Sequence, residues 1–398
     1  MTEPTIGIRR SQPTLMVAAC AGMFVFGIVM AVLGAVLPSL FGKIGFSKAA
    51  AGDLFLVMNS AMLAVTLLFG PLVDRFGFRA FLMASAFLVA AAFMLLTLAS
   101  TYGLVVIAAV VLGFGGGGLN GGTNVLTSDI HVEEKRGSAL NLLGVFFGIG
   151  AVTIPFLIGS LLSSLGLSNI LILAVVLSLV PLVFFILLRF PEAKQPQGFP
   201  LSDAARIARD PLLWLCGFVL FFESGNEFTV GGWISTYLQE SFGTQAGAAA
   251  LILAGYWGAL MIGRIVASRI VGVLGNARLV LSSGLLAMAA AAVLRFTSSG
   301  ALAAASVLFI GLGFAAIYPT VLAVVGNLFP RFSGTAFGFV IAVSLVGGML
   351  APWIVGRLAQ LSGLRQGLVV PLINCAMIIV LQLSIMRVMK RRTGRQTA

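Results

Sequence analysis

Long apolar runs separated by short polar gaps dominate the chain. A membrane-spanning helix needs about 20 mostly apolar residues, and the longer runs suit tilted helices. The pattern therefore predicts an all-α membrane protein with twelve transmembrane helices. The predicted spans cover residues 14–40, 50–70, 78–99, 102–127, 137–163, 166–189, 211–238, 247–268, 277–296, 301–328, 333–357 and 366–388.

The longest polar stretch inside the chain, residues 189–210, separates six spans from six. Its prolines and charges exclude a span. We therefore predict an N-terminal six-helix bundle over residues 1–190, a cytoplasmic linker over 191–210 and a C-terminal six-helix bundle over 211–398.

The two halves resemble each other in sequence. With an offset of 197 residues, the fifth span aligns with the eleventh without a gap, so that Gly150 meets Gly347 and Pro155 meets Pro352. An offset of 198 places Gly113 and Gly115 on Gly311 and Gly313. Two parallel six-helix repeats are typical of a transporter.

The composition supports the membrane assignment. Hydrophobic residues make up 60% of the chain and charged residues 9%, and the mean hydropathy is +1.11. Soluble domains carry roughly 25% charged residues, so this chain cannot cover a water-facing surface. The first apolar run, residues 14–40, exceeds a signal-peptide core and is predicted to be a retained span.

The net charge of +12 does not indicate nucleic-acid binding, because the basic residues sit between apolar runs and form no patch interleaved with aromatics. With the N-terminus in the cytoplasm, eighteen lysines and arginines fall on the cytoplasmic side and five on the other. The positive-inside rule then places both termini in the cytoplasm, with the protein in the plasma or inner membrane.

Residues 111–124 are rich in glycine, and Gly113, Gly115 and Gly118 satisfy the G-x-G-x-x-G pattern of a dinucleotide-binding turn. No strand–turn–helix unit surrounds them, since they lie inside the fourth span. Glycines three to five residues apart are typical of close helix packing in membranes. They also lower helix stability by about 1 kcal/mol each, which would let this helix bend.

Several catalytic chemistries lack their residues. None of the five lysines precedes Ser or Thr, so the chain has no Walker A motif. The single histidine, His131, excludes a histidine cluster or a histidine-dependent triad. Cys20, Cys216 and Cys375 lie far apart in apolar runs, so we predict no disulfide or metal site. We expect no cofactor and no enzyme activity, with transport driven by an ion or solute gradient.

The stretch GPLVDRFGFR, residues 70–79, follows the second span. It resembles the signature loop of the major facilitator superfamily, which implies that family's fold and alternating-access transport. Asp74 and two arginines are expected to form a charge network on the cytoplasmic face; alternatively they only mark the membrane boundary. The residues matching the motif, our candidates for a cytoplasmic gate, are Gly70, Asp74, Arg75, Gly77 and Arg79.

A narrower resemblance covers residues 136–155, 223–238, 255–264 and 311–320. These segments are similar to the fucose–proton symporter and its glucose-transporter-like bacterial relatives, which implies a sugar or small polar metabolite carried with protons. The symporter's carboxylates in spans one and four have no counterpart here. Span four offers Asn120 and Asn124 instead.

Glu223 and Glu227 lie one turn apart in the seventh span. At about 1.5 Å per residue from Pro211, they fall roughly 18 and 24 Å into the membrane. Two carboxylates this close in a low dielectric disfavour joint ionisation, so the pair is expected to bind a proton. This predicts a proton-coupling site, against the alternative of structural carboxylates bonded to a neighbouring helix.

Other polar or aromatic side chains at membrane depth are candidates for substrate binding. Arg264 is expected to pair with a glutamate of the seventh span, to bind an anionic substrate, or to form part of a gate. Asn120 and Asn124 share one helix face and suit sugar hydroxyls or interhelical hydrogen bonds. The complete set is Asn120, Asn124, Asn226, Trp233, Trp257, Arg264 and Tyr318.

Three functions remain. The first is a monomeric secondary transporter that imports a sugar or small polar metabolite with protons. The second is a proton-driven exporter of drugs or amphipathic metabolites, because the many Met and Phe residues could line an apolar cavity. The third, a non-transporting receptor or scaffold, is disfavoured because the predicted spans leave no room for a soluble domain.

Overall fold

A computed structural model describes residues 6–131, 133–190, 207, 209–330 and 333–396, and within these ranges the regular structure is helical without strands. The helices are α1 (Ile6–Ile44), α2 (Lys48–Leu98), α3 (Tyr102–Ile130), α4 (Glu133–Leu187), α5 (Pro211–Phe242), α6 (Ala246–Leu274), α7 (Asn276–Phe296), α8 (Gly300–Phe314), α9 (Ile317–Leu328), α10 (Ser333–Ser362), α11 (Leu364–Gly367) and α12 (Val369–Gln396).

These helices supply twelve segments of membrane length where the sequence predicts them. The non-helical residues Gly77 and Gly166 divide α2 and α4 into two spans each, and α8 continues into α9 as one span. Ten stretches of the described chain are long and apolar enough to cross a membrane, one of them covering both halves of α4. The 32-residue α5 is not among the ten and carries three glutamates.

Backbone turns repeat between the two halves. Among the described residues, those with positive φ are six glycines, and no other residue type adopts such a φ. They form three pairs separated by 197 or 198 residues, each at the end or bend of a helix. Glycine is favoured there because it lacks a Cβ atom. The pairs are Gly45 with Gly243, Gly77 with Gly275, and Gly166 with Gly363.

Close helix contacts repeat in the same way. A Cβ atom at Gly150 would collide with the carbonyl of Phe24, and one at Gly347 would collide with the carbonyl of Phe221. The two glycines are 197 residues apart in the sequence, and so are the two phenylalanines. α1 therefore approaches α4 as α5 approaches α10, which supports the predicted parallel repeat.

The glycine run of α3 serves helix packing. A Cβ atom at Gly115 would lie 2.8 Å from the backbone nitrogen of Val89. The equivalent contact, 198 residues later in the sequence, is that of Gly313 with the backbone nitrogen of Ala287, also at 2.8 Å. At Gly117 the added atom would approach the Met62 Cα to 3.1 Å. The helix runs through these glycines unbroken, so the packing interpretation is confirmed.

The chain divides into two compact units. The first comprises Met1–Gly45 and Ser60–Pro196, and the second comprises Phe46–Asn59 and Gln197–Ala398. The start of α2, residues 48–59, is therefore counted with the second unit. There Gly52 lies against Trp353 and Gly356 of α10, and Asp53 accepts hydrogen bonds from the Trp353 indole at 2.9 Å and Arg357 at 2.7 Å.

The seventh predicted span, α5, lies in the interior of the second unit. Asp210 caps its N-terminus by accepting a hydrogen bond from the Leu212 nitrogen at 2.9 Å, and Pro211 occupies the first turn. Gly243 ends the helix in the left-handed conformation. Every residue from Glu223 to Leu238 is buried, so the middle of α5 contacts protein on all sides.

We predict that Gly115→Ala destabilises the protein, since a methyl group would meet the backbone of α2. Overpacking of this kind costs about 1–3 kcal/mol. Gly144→Ala is the matched control, because no atom lies within 4 Å of a Cβ there. It should leave stability unchanged or raise it by up to about 1 kcal/mol.

Melting temperatures of the purified proteins in detergent measure both effects. Equal melting temperatures for the two variants would contradict the packing role of the glycine run.

Candidate functional site

Two carboxylates occupy the middle of α5. Glu223 and Glu227 are 0% and 6% exposed, and they lie one turn apart on the same side of the helix. The Ser224 hydroxyl lies 3.3 Å from Glu223 Oε2, within reach of a weak hydrogen bond. Their own carboxyl groups lie close enough to interact through a side-chain hydrogen bond. The sequence interpretation of the pair as neighbours inside the bundle therefore matches the geometry.

Arg264 of α6 supplies the compensating charge. Its guanidinium interacts electrostatically with Glu223 and with Glu227, and its side chain is only partly buried. An ion inside a helix bundle is costly unless an opposite charge or hydrogen bonds compensate it. The electrostatic interaction with both carboxylates agrees with the pairing with a glutamate, one of the three roles predicted for Arg264.

Tyr256, about two turns before Arg264 on α6, completes the group and was missed by the sequence analysis. It is 0% exposed, and its hydroxyl lies in the electrostatic field of both glutamates and of Arg264. Neither this hydroxyl nor Glu223 Oε1 has a hydrogen-bond partner within the described part of the chain. In sequence, a tyrosine between Gly255 and a tryptophan in an apolar run is indistinguishable from a packing residue.

The two tryptophans proposed as substrate contacts are packed between helices. Trp257 is 2% exposed, and its ring lies 2.9 Å from where a Cβ atom at Gly231 would stand. Trp233 is 0% exposed, and its indole nitrogen donates to the Pro352 carbonyl at 3.1 Å. In this structure the Trp233 side chain therefore connects α5 to α10.

Asn226 bonds to α12. Its amide nitrogen lies 3.4 Å from the Pro371 carbonyl and 3.3 Å from the Cys375 sulfur, and its oxygen accepts from Asn374 at 2.9 Å. The side chain is fully buried. In this structure the Asn226 side chain therefore connects α5 to α12, and its predicted contact with substrate stays a prediction.

Tyr318 of α9 is partly buried, with its hydroxyl within hydrogen-bonding reach of Ser344. It also lies in the field of Glu223, Glu227 and Arg264. Four helices of the second unit, α5, α6, α9 and α10, therefore contribute to one polar group in an apolar bundle.

In the first unit, Asn120 and Asn124 lie together on α3. Asn124 Nδ2 donates to the Asn120 carbonyl at 2.8 Å and to Asn120 Oδ1 at 3.0 Å. Both side chains are partly exposed. The shared helix face predicted from their spacing is present, and the amides are joined to each other.

The signature loop lies at the bend of α2. Gly77 has φ 75° there, which provides the tight turn. Arg75 is exposed, with its guanidinium 5.4 Å from the Phe76 ring centre, and Arg79 donates a hydrogen bond to the Ile186 carbonyl of α4. The surroundings of Gly70 and the side chain of Asp74 lie outside the described part of the structure.

The charges define what the group in the second unit can do. With both glutamates ionised, the two carboxylates and Arg264 carry a net charge of −1; with one proton bound, they are neutral. Because a net charge is disfavoured in a low dielectric, reversible binding of one proton is the chemistry that these residues support. Within the described chain, no group of His, Cys, Asp and Glu suits a metal ion.

A family model described as Major Facilitator Superfamily matches residues 19–225 and 213–398. An uncharacterised MFS-type transporter of Yersinia pestis is 23% identical over 347 residues, which cover 86% of this chain and 88% of that protein. The uncharacterised MFS-type transporter YfkL of Bacillus subtilis is 24% identical over 306 residues, which cover 74% and 76%.

Solved structures share the fold at low sequence identity. A bacterial homolog of the human lysosomal transporter Spinster has a TM-score of 0.77 at 16% identity, covering 94% of this chain and 96% of its own. The nucleoside transporter NupG has a TM-score of 0.75 at 16% identity, and the match covers 94% of this chain and 99% of that chain. The E. coli fucose:proton symporter FucP has a TM-score of 0.63 at 18% identity, and the match covers 93% of this chain and 98% of that chain.

The repeated helices, the signature loop and both matches of the family model lead to one conclusion: the chain is a multi-pass membrane protein that belongs to the Major Facilitator Superfamily.

Proposed function

We propose that the chain is a secondary active transporter that takes up a sugar or small polar metabolite together with protons. Glu227 binds the coupling proton, and Glu223 tunes its affinity. The observation that carries this proposal is the carboxylate pair inside α5, which shares the electrostatic field of the Arg264 guanidinium. Binding and release of one proton change the charge of this group between neutral and −1, which makes its preferred surroundings depend on protonation.

Polar side chains support the substrate class. Asn120 and Asn124 offer amide groups on the partly exposed face of α3, and amides suit hydroxyl-rich solutes. Arg264 and Tyr318 are partly exposed in the second unit, and we assign them to the polar end of the substrate. Trp233 and Asn226 are assigned to helix packing, and Trp257 to the wall beside Gly231.

The remaining assignments follow from charge. We propose that both termini lie in the cytoplasm, since that side then carries eighteen of the basic residues. The turn at Gly77, with Arg75 and Arg79, is proposed to act as the cytoplasmic gate together with Asp74 and Gly70. The bond from Arg79 to the α4 carbonyl supports this role, because it ties the loop to a second helix.

Uptake into proteoliposomes tests the function. Purified protein is given an imposed pH gradient and a panel of labelled neutral sugars, polyols and amphipathic cations. Accumulation of a sugar or polyol only when protons flow inward with it supports the proposal. Movement of amphipathic cations against the proton flow, with no sugar uptake, supports the exporter instead.

Glu227→Gln should abolish accumulation driven by the pH gradient, because glutamine keeps the shape of the side chain but cannot titrate. Exchange of substrate across the membrane should persist. Glu240→Gln is the matched control, a carboxylate on the same helix whose side chain is 40% exposed and ion-paired with Lys48. If Glu227→Gln still concentrates substrate when only protons can drive transport, the coupling site lies elsewhere.

We further predict that Tyr256→Phe shifts the pH dependence of transport by about half a pH unit or more, since it removes a buried hydroxyl in the field of both glutamates. Tyr237→Phe serves as the comparison, because the Tyr237 hydroxyl is also buried but donates to the Leu294 carbonyl at 3.2 Å. Identical pH profiles for the wild type and Tyr256→Phe would show that the hydroxyl does not act on the carboxylates.

A further inference from the structure

Asn226 is anchored to α12, although it precedes Glu227 in the sequence. Its amide makes the contacts with Pro371, Cys375 and Asn374 described above, the shortest being 2.9 Å from Asn374 Nδ2 to Asn226 Oδ1. Asn226 and Asn374 are 0% and 6% exposed. A pair of buried amides thus joins the functional turn of α5 to the first turns of α12.

Tight packing surrounds this amide pair. A Cβ atom at Gly225 would lie 2.9 Å from the Ala351 Cβ atom of α10 and 3.3 Å from Asn374 Nδ2. One turn before Gly225 on α5, the carbonyl of Phe221 lies against Gly347 of α10. Since both neighbouring helices are in contact with the α5 backbone, rotation of α5 about its own axis would break the amide pair or cause a collision.

The first unit builds the equivalent packing without amides. The residues 197 positions before Asn226 and Asn374 are Val29 and Leu177. The close approach of Gly150 to Phe24 nevertheless forms there. The repeated fold therefore does not require the amide pair.

The carboxylates show the same distribution. The positions 197 residues before Glu223 and Glu227 hold Phe26 and Met30, which cannot ionise. The amide pair and the carboxylate pair thus occur together, in the second unit and not at the matching positions of the first. This association points to a role connected with the carboxylates.

We propose that Asn226 and Asn374 are a positioning pair, which holds α5 in the rotation that keeps Glu223 and Glu227 beside Arg264. The inference rests on the proposed proton binding by these glutamates. An interhelical hydrogen bond suits this task in a membrane, because apolar side chains gain little from burial against each other compared with lipid. Directional bonds then fix the rotation of the helix.

Among the described residues, three helices besides α6 contribute titratable or polar groups near the carboxylates or Asn226. α6 contributes Arg264 and Tyr256, and α9 contributes Tyr318. α12 contributes the Cys375 thiol, which contacts Asn226, and α10 contributes the uncharged hydroxyl of Ser344 beside Tyr318. A change in the rotation of α5 would therefore act on the glutamates mainly through their separation from Arg264.

Infrared titration of the carboxylic-acid C=O band tests the proposal without a known substrate. The protein is titrated in lipid nanodiscs, with Glu223→Gln/Glu227→Gln identifying the part of the band that belongs to the pair. The variants are Asn374→Leu and the double variant Asn226→Leu/Asn374→Leu, which removes both polar partners and so avoids an unsatisfied buried amide. Asn374→Ser, a smaller change, gives the same comparison if a leucine variant is not recovered.

Gln382→Leu is the matched control on α12. Gln382 is 4% exposed and donates to the Ala277 carbonyl of α7 at 3.1 Å, so its loss removes a buried interhelical bond in which α5 takes no part. We expect Asn374→Leu and the double variant Asn226→Leu/Asn374→Leu each to move the titration midpoint of the carboxylate pair by about half a pH unit or more. Gln382→Leu should keep the wild-type midpoint despite a comparable loss of melting temperature.

A double variant that titrates at the wild-type midpoint would overturn the positioning role, whatever its stability. So would an equal shift in Gln382→Leu, which would reveal a general response to loosening of α12. A wild type without a titrating band from the pair would instead refute the proposed proton site, and the positioning role with it.

Discussion

An ionised carboxylate inside a helix bundle loses its hydration, and α5 places two of them one turn apart among buried residues. Only hydrogen bonds, an opposite charge or a proton can offset that loss. The second unit supplies Arg264 as the opposite charge and leaves one negative charge over, which a proton can neutralise. The helices that surround Glu223 and Glu227 are therefore arranged around a charge that is balanced in only one protonation state.

Glycine makes that arrangement possible. Because lipid is as apolar as leucine, helices in a membrane associate through close packing and interhelical hydrogen bonds. Gly347 brings α10 against the backbone of α5, and Gly150 does the same for α4 against α1. The two units thus share one packing scheme with different contents. In the second unit it holds carboxylates and an amide pair, and at the matching positions of the first it holds apolar side chains.

Periodicity and internal repetition predicted most of the fold. The apolar runs located the spans, and the paired glycines indicated both the repeat and the packing of α3, because glycine has few other reasons to recur at fixed separations. The spacing of Glu223 and Glu227 placed both on one helix face. Hydrophobic periodicity could not reveal which neighbouring helix each face of α5 meets, since every residue from Glu223 to Leu238, polar or apolar, is buried.

The contacts that could not be predicted from the sequence share that cause. Asn226 and Trp233 are polar or amphipathic residues on a helix that is buried on all sides, so their partners depend on the neighbouring helix at each point. The partners, Asn374 and Pro352, lie more than a hundred residues away. Tyr256 was missed because its relation to the glutamates arises only when α6 packs beside α5.

If the carboxylate pair holds a transferable proton, a count of the protons bound by the protein will reveal it. Potentiometric titration of the purified protein, compared with the Glu223→Gln/Glu227→Gln double variant, gives the number of protons that the pair binds near neutral pH. We expect a difference of about one proton per molecule between the two proteins, because two coupled carboxylates lie beside one guanidinium. Superimposable titration curves for the two proteins would contradict it.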